Sequence, residues 1–107
     1  MDPRLGLCLD TGHTARTGAD IVESIAEAGP RLFTLHVKDL KDRMDRNSQV
    51  AVGDGVLPIP DIFRQLIQQQ YGGYCSLEYE IDAGDPLPGM QKSVQFMRKV
   101  IEEINAA

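Results

Sequence analysis

The 107-residue sequence contains no tryptophan and has no apolar run near the ~20 residues that a membrane-spanning helix needs. Its first residues, Met1 to Arg4, carry charge, whereas a signal peptide would show an apolar segment close behind them. It has only two cysteines, Cys8 and Cys75, and both lie inside apolar runs, which favours buried free thiols over a disulfide. These absences predict a cytoplasmic protein that does not enter a membrane.

Positive charge is also scarce. The chain has 11 Lys and Arg against 16 Asp and Glu, a net charge of −5. Proteins that follow a nucleic-acid phosphate backbone use clustered Lys and Arg, so the composition argues against nucleic-acid binding. A chain with 42% hydrophobic and 25% charged residues is typical of a globular fold. Its length allows one small domain or a piece of a larger one.

A strand-like segment followed by a helix-like segment occurs three times. The predicted strands are residues 5–9, 32–37 and 74–81. The predicted helices have apolar residues at helical spacing within residues 21–26, 62–67 and 90–104. A long polar loop separates the second strand from its helix. Strands separated by helices indicate right-handed crossovers and a parallel sheet, and strands that are apolar on both sides indicate that both faces are covered.

Reactive side chains lie at the carboxyl ends of these strands, where parallel sheets place their ligand sites. Asp10 ends the first strand, with His13 in the turn after it; His36 lies near the end of the second, and the third carries Glu78. Pairing in register would set Asp10, His36 and Glu78 side by side, about 5 Å apart per strand.

Two carboxylates and one imidazole are ligands for a divalent ion such as Mn²⁺, Mg²⁺, Co²⁺ or Zn²⁺. Taken one at a time, these residues have commoner explanations. An Asp at a strand end is usually a helix N-cap, a single His usually belongs to the core, and a Glu near a strand end is usually a solvated charge.

Four segments, GLCLDTGH, LFTLHVKDL, VGDGVLPIPDIFRQL and GGYCSLEYE, together resemble the sugar phosphate isomerase/epimerase family, the xylose isomerase-like TIM barrels. The resemblance runs in order along nearly the whole chain. It implies an α/β fold made of the last three βα units of a TIM (β/α)₈ barrel, with parallel strands and covering helices. Residues 1–107 would then be one partial-barrel domain. A whole barrel has eight units in about 250 residues, so the resemblance places the other units before Met1.

The resemblance also implies roles for residues. Asp10, His36 and Glu78 match metal ligands, and Glu78 matches a catalytic acid and base as well. His13 and Lys38 match positions that contact substrate. The implied activity is that of a metal-dependent isomerase or epimerase of a sugar, sugar phosphate or polyol, acting by proton abstraction next to a carbonyl. Family members usually add a metal-binding glutamate from an upstream strand, and no residue of this chain matches it.

Two classes of function remain open. The chain is the catalytic rim of such an enzyme, acting on a small-molecule sugar, or it is a non-catalytic barrel remnant that binds a metal or a partner chain. Whether the 107 residues are active alone is undecided by the sequence. The outer strands of a three-stranded sheet have unpaired edges, so we expect a homo-oligomer or another association through those edges.

Two further alternatives fit less well. An endonuclease-type relative acting on DNA suits the spacing of Asp10 and His13, but not the acidic composition. A flavodoxin-like signalling domain needs two adjacent acids after the first strand, where the sequence has Asp10 followed by Thr11.

Overall fold

The computed structural model describes residue 2 and residues 4–106. In chain order the elements are β1 (Leu7–Asp10), α1 (Thr11–Arg16), α2 (Ile21–Ala28), β2 (Leu32–Val37), β3 (Asp39–Leu40), β4 (Gln49–Val50), α3 (Ile59–Gln68), β5 (Tyr74–Leu77) and α4 (Leu87–Ala106). A 3₁₀ turn, Gly29–Arg31, joins α2 to β2. Strands β1, β2 and β5 form a parallel sheet with β2 in the middle, and β3 pairs with β4 antiparallel. The predicted succession of strands and helices and the parallel pairing are confirmed.

Aspartate side chains begin the first two helices. The carboxylates of Asp10 and Asp20 accept hydrogen bonds, each of 3.0 Å, from the backbone N–H groups of His13 and Glu23. Such N-caps satisfy N–H groups that have no partner inside the helix. Because of this cap, residues 11–16 form a short helix where the sequence predicted only a turn. No helix in the described part of the chain combines the length and the apolar character needed to cross a membrane.

The core lies between one face of the sheet and the helices. From the central strand β2, Leu35 and Val37 point into it and are 0% exposed, and Ile25 of α2 and Ile62 of α3 are equally buried. Each such side chain gains about 1.5–3 kcal/mol from leaving water. The alternation of β2 therefore directs one set of its residues to the core and leaves the other set, which includes His36, for the opposite face.

That opposite face is not covered by the described residues, so the prediction of two covered faces is wrong. Tyr74 is 81% exposed there. Cys8 and Cys75 are free thiols as predicted, but they are exposed instead of buried. Cys8 pairs with Thr34, on the face that carries no helices, and Cys75 lies on the edge strand β5. The apolar strands predict cover on both faces, and in the described residues the helices cover only one face of the sheet.

The third strand ends at Leu77, earlier than predicted. Its last bond to β2 is donated by the N–H of Glu78 to the carbonyl of Val37, at 2.9 Å. Beyond that point the side chain of Gln49 replaces a neighbouring strand. Its amide nitrogen donates to the carbonyl of Glu78, and its amide oxygen accepts the N–H of Glu80 at 3.1 Å. The backbone after β5 is therefore positioned by the loop after β2.

A buried aspartate organises that loop. Asp39 is 1% exposed, and its carboxylate accepts four backbone hydrogen bonds. The donors, at 2.9–3.1 Å, are the N–H groups of Leu40, Gly53, Gly55 and Leu57. Gly55 has to be a glycine, because an added Cβ would lie 2.3 Å from Oδ1 of Asp39. This carboxylate thus ties the end of β2 to the start of α3.

Replacing this carboxylate should loosen the loop. In Asp39→Asn one oxygen becomes an N–H₂ donor, so two of the four backbone N–H groups lose their acceptor. We expect the free energy of unfolding in urea to fall by about 1–3 kcal/mol and amide hydrogen exchange in residues 53–57 to accelerate. Asp54→Asn is the matched control, because Asp54 is exposed and makes only a surface ion pair with Lys92. Equal effects of the two substitutions would contradict the assigned role of Asp39.

Candidate functional site

Parallel pairing brings three of the predicted site residues to one face of the sheet. Asp10 pairs with His36, and His36 pairs with Ser76 of β5. Paired residues of parallel strands point to the same face, and residues two apart share it, so Glu78 belongs to that face as well. Nδ1 of His36 lies 3.4 Å from Oε1 of Glu78. Asp10, His36 and Glu78 therefore stand at the carboxyl ends of neighbouring strands.

Lys38 is held between two carboxylates. Its Nζ donates to Oε1 of Glu80 at 2.8 Å and lies 3.4 Å from Oδ2 of Asp10, while the residue is only 5% exposed. Burial alone would lower the pKa of this ammonium, but the hydrogen bond to Glu80 and the charge of Asp10 outweigh burial and raise the pKa. The same hydrogen bond lowers the pKa of Glu80. The site thus contains a buried ammonium whose charged form is stabilised by two carboxylates.

Two neighbouring residues fix the position of this lysine. The hydroxyl of Thr11, which is fully buried, donates to the Lys38 carbonyl at 2.7 Å, and the N–H of Lys38 donates back to that hydroxyl at 3.0 Å. At Gly12 an added Cβ would come within 2.5 Å of Cδ of Lys38. Thr11 and Gly12, directly after Asp10, therefore position Lys38: Thr11 binds its backbone, and Gly12 leaves room for its side chain. The sequence pattern did not indicate this role.

His13 is held by the last residue of its own helix. The guanidinium of Arg16 contacts Nδ1 of His13. A guanidinium can only donate hydrogen bonds, so Nδ1 of His13 is the acceptor in this contact. The contact ties the side chain of His13 to that of Arg16.

A pocket of about 390 Å³ opens at this edge of the sheet. His13 and Lys38, the two predicted substrate contacts, both line it, as does Glu80. Arg16 and Arg46 line it as well, and neither was predicted from the sequence. Arg16 could have been found from its spacing, three residues after His13. Arg46 lies inside a long loop, and no pattern in the sequence gives the path of that loop.

The three predicted metal ligands do not converge in the described part of the chain. Across residue 2 and residues 4–106, no group of three or more His, Cys, Asp or Glu side chains is arranged to hold a metal ion. Asp10 contacts Lys38, and the imidazole of His36 lies between Glu78 and the sulfur of Cys8, 3.6 Å from Nε2. The donor types fit a divalent cation, because two carboxylates and an imidazole are suitable ligands. Joint ligation would require the contact between Asp10 and Lys38 to open.

Known proteins share this architecture. The family model described as xylose isomerase-like TIM barrel matches residues 1–100. Inosose dehydratase from Geobacillus kaustophilus is 27% identical over an alignment 124 positions long, which covers 99% of this chain and 40% of the relative. The chain thus spans about two fifths of the length of that curated relative.

Solved structures with low identity show the same fold. The 3-keto-D-glucoside 4-epimerase YcjR from E. coli superimposes with a TM-score of 0.72 at 23% identity, over 88% of this chain and 33% of that one. The IolI protein, whose crystal structure has a binding zinc atom, gives a TM-score of 0.75 at 20% identity, over 95% of this chain and 39% of that one. With a family model that matches nearly its whole length and a parallel α/β architecture that fits it, this chain belongs to the xylose isomerase-like TIM barrel family.

Proposed function

We propose that this chain supplies the catalytic rim of a divalent-metal-dependent sugar isomerase or epimerase. We also propose that residues 1–107 form one partial-barrel domain, the last three βα units of the barrel. One observation carries the proposed function: Asp10, His36 and Glu78 share one face at the carboxyl ends of three adjacent parallel strands. TIM-barrel enzymes bind and transform their substrates at that end of the strands.

In this proposal Asp10, His36 and Glu78 hold the metal ion. Their mixed oxygen and nitrogen donors suit several divalent cations. The crystal structure of the IolI protein, a structural neighbour, has a binding zinc atom, which supports a divalent cation in a protein of this fold. When bound, such an ion stabilises the negative charge that develops on the sugar oxygens as a proton leaves the carbon next to the carbonyl.

Glu78 is the proposed acid and base. Its carboxylate takes the proton from the carbon next to the carbonyl. Returning that proton to the adjacent carbon completes an isomerisation, whereas an epimerisation requires a second acid that delivers a proton to the opposite face of the same carbon. The imidazole of His36, 3.4 Å away, orients this carboxylate. Lys38 and His13 donate hydrogen bonds to substrate hydroxyls or to the developing oxyanion. The contact with Glu80, at 2.8 Å, holds the ammonium of Lys38 at the pocket before a substrate arrives.

The curated relatives favour a second candidate, dehydration. An inosose dehydratase aligns with 99% of this chain. Eliminating water next to a carbonyl begins with the same proton abstraction, so Glu78 would have the same first task. The two reactions differ in their second step, because an epimerase returns a proton whereas a dehydratase expels a neighbouring hydroxyl. Product analysis by mass separates them, since only dehydration changes the mass of the substrate.

We further propose that the chain associates through its sheet edges, with copies of itself or with other barrel strands. In the order β1-β2-β5, the outer edges of β1 and β5 have no partner strand among the described residues. Unpaired edges readily accept another strand. Such pairing would extend the sheet on either side of the exposed face that carries His36. A non-catalytic remnant would associate in the same way but would turn over no sugar.

Removing one proposed ligand should weaken metal binding. We expect Asp10→Asn to reduce the affinity for Mn²⁺ or Co²⁺, measured by titration calorimetry, by tenfold or more. Asn caps helices about as well as Asp, so α1 should remain intact. The control is Asp85→Asn, an exposed residue outside the site. Unchanged affinity in Asp10→Asn would remove Asp10 from the metal site.

Removing the proposed base should abolish turnover. Glu78→Gln keeps the shape of the side chain but cannot accept a proton, and a positioned acid or base contributes about 10²–10⁴-fold to rate. We therefore expect kcat to fall by at least 100-fold while the thermal unfolding midpoint changes little. Glu102→Gln, on the exposed side of α4, is the matched control and should retain full activity. Activity that survives Glu78→Gln would refute the assignment of Glu78 as the base.

A further inference from the structure

The pocket beside Lys38 has a local excess of positive charge. Arg16 of α1, Lys38 after β2 and Arg46 in the loop before β4 all line it. Among the described lining residues, Glu80 is the only carboxylate. The whole chain carries a net charge of −5, so the cationic character of this pocket does not reflect the composition.

Two of these three cations have no carboxylate partner among the described residues. Lys38 is neutralised by Glu80 at 2.8 Å and Asp10 at 3.4 Å. In the described ranges, residue 2 and residues 4–106, no carboxylate lies within 4.0 Å of the guanidinium of Arg16 or Arg46. Internal ion pairs therefore neutralise the charge of Lys38. The guanidinium groups of Arg16 and Arg46 have no such ion pair and can bind a ligand in the pocket.

A contact with His13 holds the side chain of Arg16 at the pocket. Arg16 is half-buried, and one of its terminal N–H groups contacts Nδ1 of His13. A guanidinium has five N–H donors, so most of its hydrogen-bonding capacity remains available. The amide of Asn47, next to Arg46, also lines the pocket.

Guanidinium groups match the paired oxygens of phosphate and carboxylate groups with two parallel hydrogen bonds. We propose that Arg16 and Arg46 form an anion-binding subsite of the active-site pocket, and that the sugar substrate carries a phosphate or carboxylate group which this subsite binds. The claim that the anion is part of the sugar substrate rests on the proposed function. Anion binding by the two arginines does not, because it requires neither the metal ion nor turnover.

The test is a calorimetric titration of the 107-residue chain, in chelator and at constant ionic strength, with inorganic phosphate, glucuronate and glucose. We expect phosphate or glucuronate to bind at least tenfold more tightly than neutral glucose, and the tighter of the two identifies the anionic group. Arg46→Gln should weaken that binding by tenfold or more. Arg16→Lys, which keeps the charge but loses the two-pronged geometry, should weaken it by a smaller factor.

Arg98→Gln is the control, since it removes one positive charge from the exposed side of α4. It should leave anion binding unchanged. The proposal is overturned if neither anion binds better than glucose, or if Arg98→Gln weakens binding as much as Arg46→Gln does.

Metal binding separates this proposal from the proposed function. Anion binding that depends on Arg46, in a protein that binds no Mn²⁺, would support the subsite and refute the metal site. Mn²⁺ binding that depends on Asp10, without anion binding, would refute the subsite alone.

Discussion

The position of β2 between β1 and β5 is the constraint on which the fold and the site both depend. Its hydrogen bonds on two sides fix which residues pair, and the alternation of the strand then divides them between two surfaces. Leu35 and Val37 enter the core under the helices, while His36 points the other way. A slip of one residue in this pairing would exchange the two sets, burying the imidazole and exposing the leucine. The stability of the core therefore also maintains the register of the site.

Much of this arrangement could be predicted from the sequence, because it depends on local periodicity and chain direction. Helical spacing and short apolar runs give the βα order, and parallel strands bring Asp10, His36 and Glu78 to one end. Other features depend on distant contacts. The exposure of Cys8 depends on which face the helices cover, and the partner of Lys38 depends on where the chain goes after Leu77. The spacing of neighbouring residues along the chain predicts neither the exposure of Cys8 nor the partner of Lys38.

The buried ammonium of Lys38 also bears on the charge balance of the site. Asp10 and Glu80 together neutralise it with one negative charge to spare. A divalent ion on Asp10 would lie close to this ammonium and would repel it, since both are cations in a poorly solvated region. Binding of the ion would therefore shift Lys38 toward Glu80. The contact with Glu80, the shorter of the two, already provides a place for the lysine to go.

The side chain of Gln49 connects the backbone after β5 to the chain segment that carries Arg46. It holds the backbone at Glu78 and Glu80, and it is the first residue of β4, directly after the loop that carries Arg46. A length change in that loop would displace the guanidinium and tilt the glutamate backbone together. In the proposed enzyme, anion binding at Arg46 and the angle of the proposed base are then not separately adjustable. Related proteins that differ in this loop should differ in both properties at once, and transplanting the loop alone should transfer both.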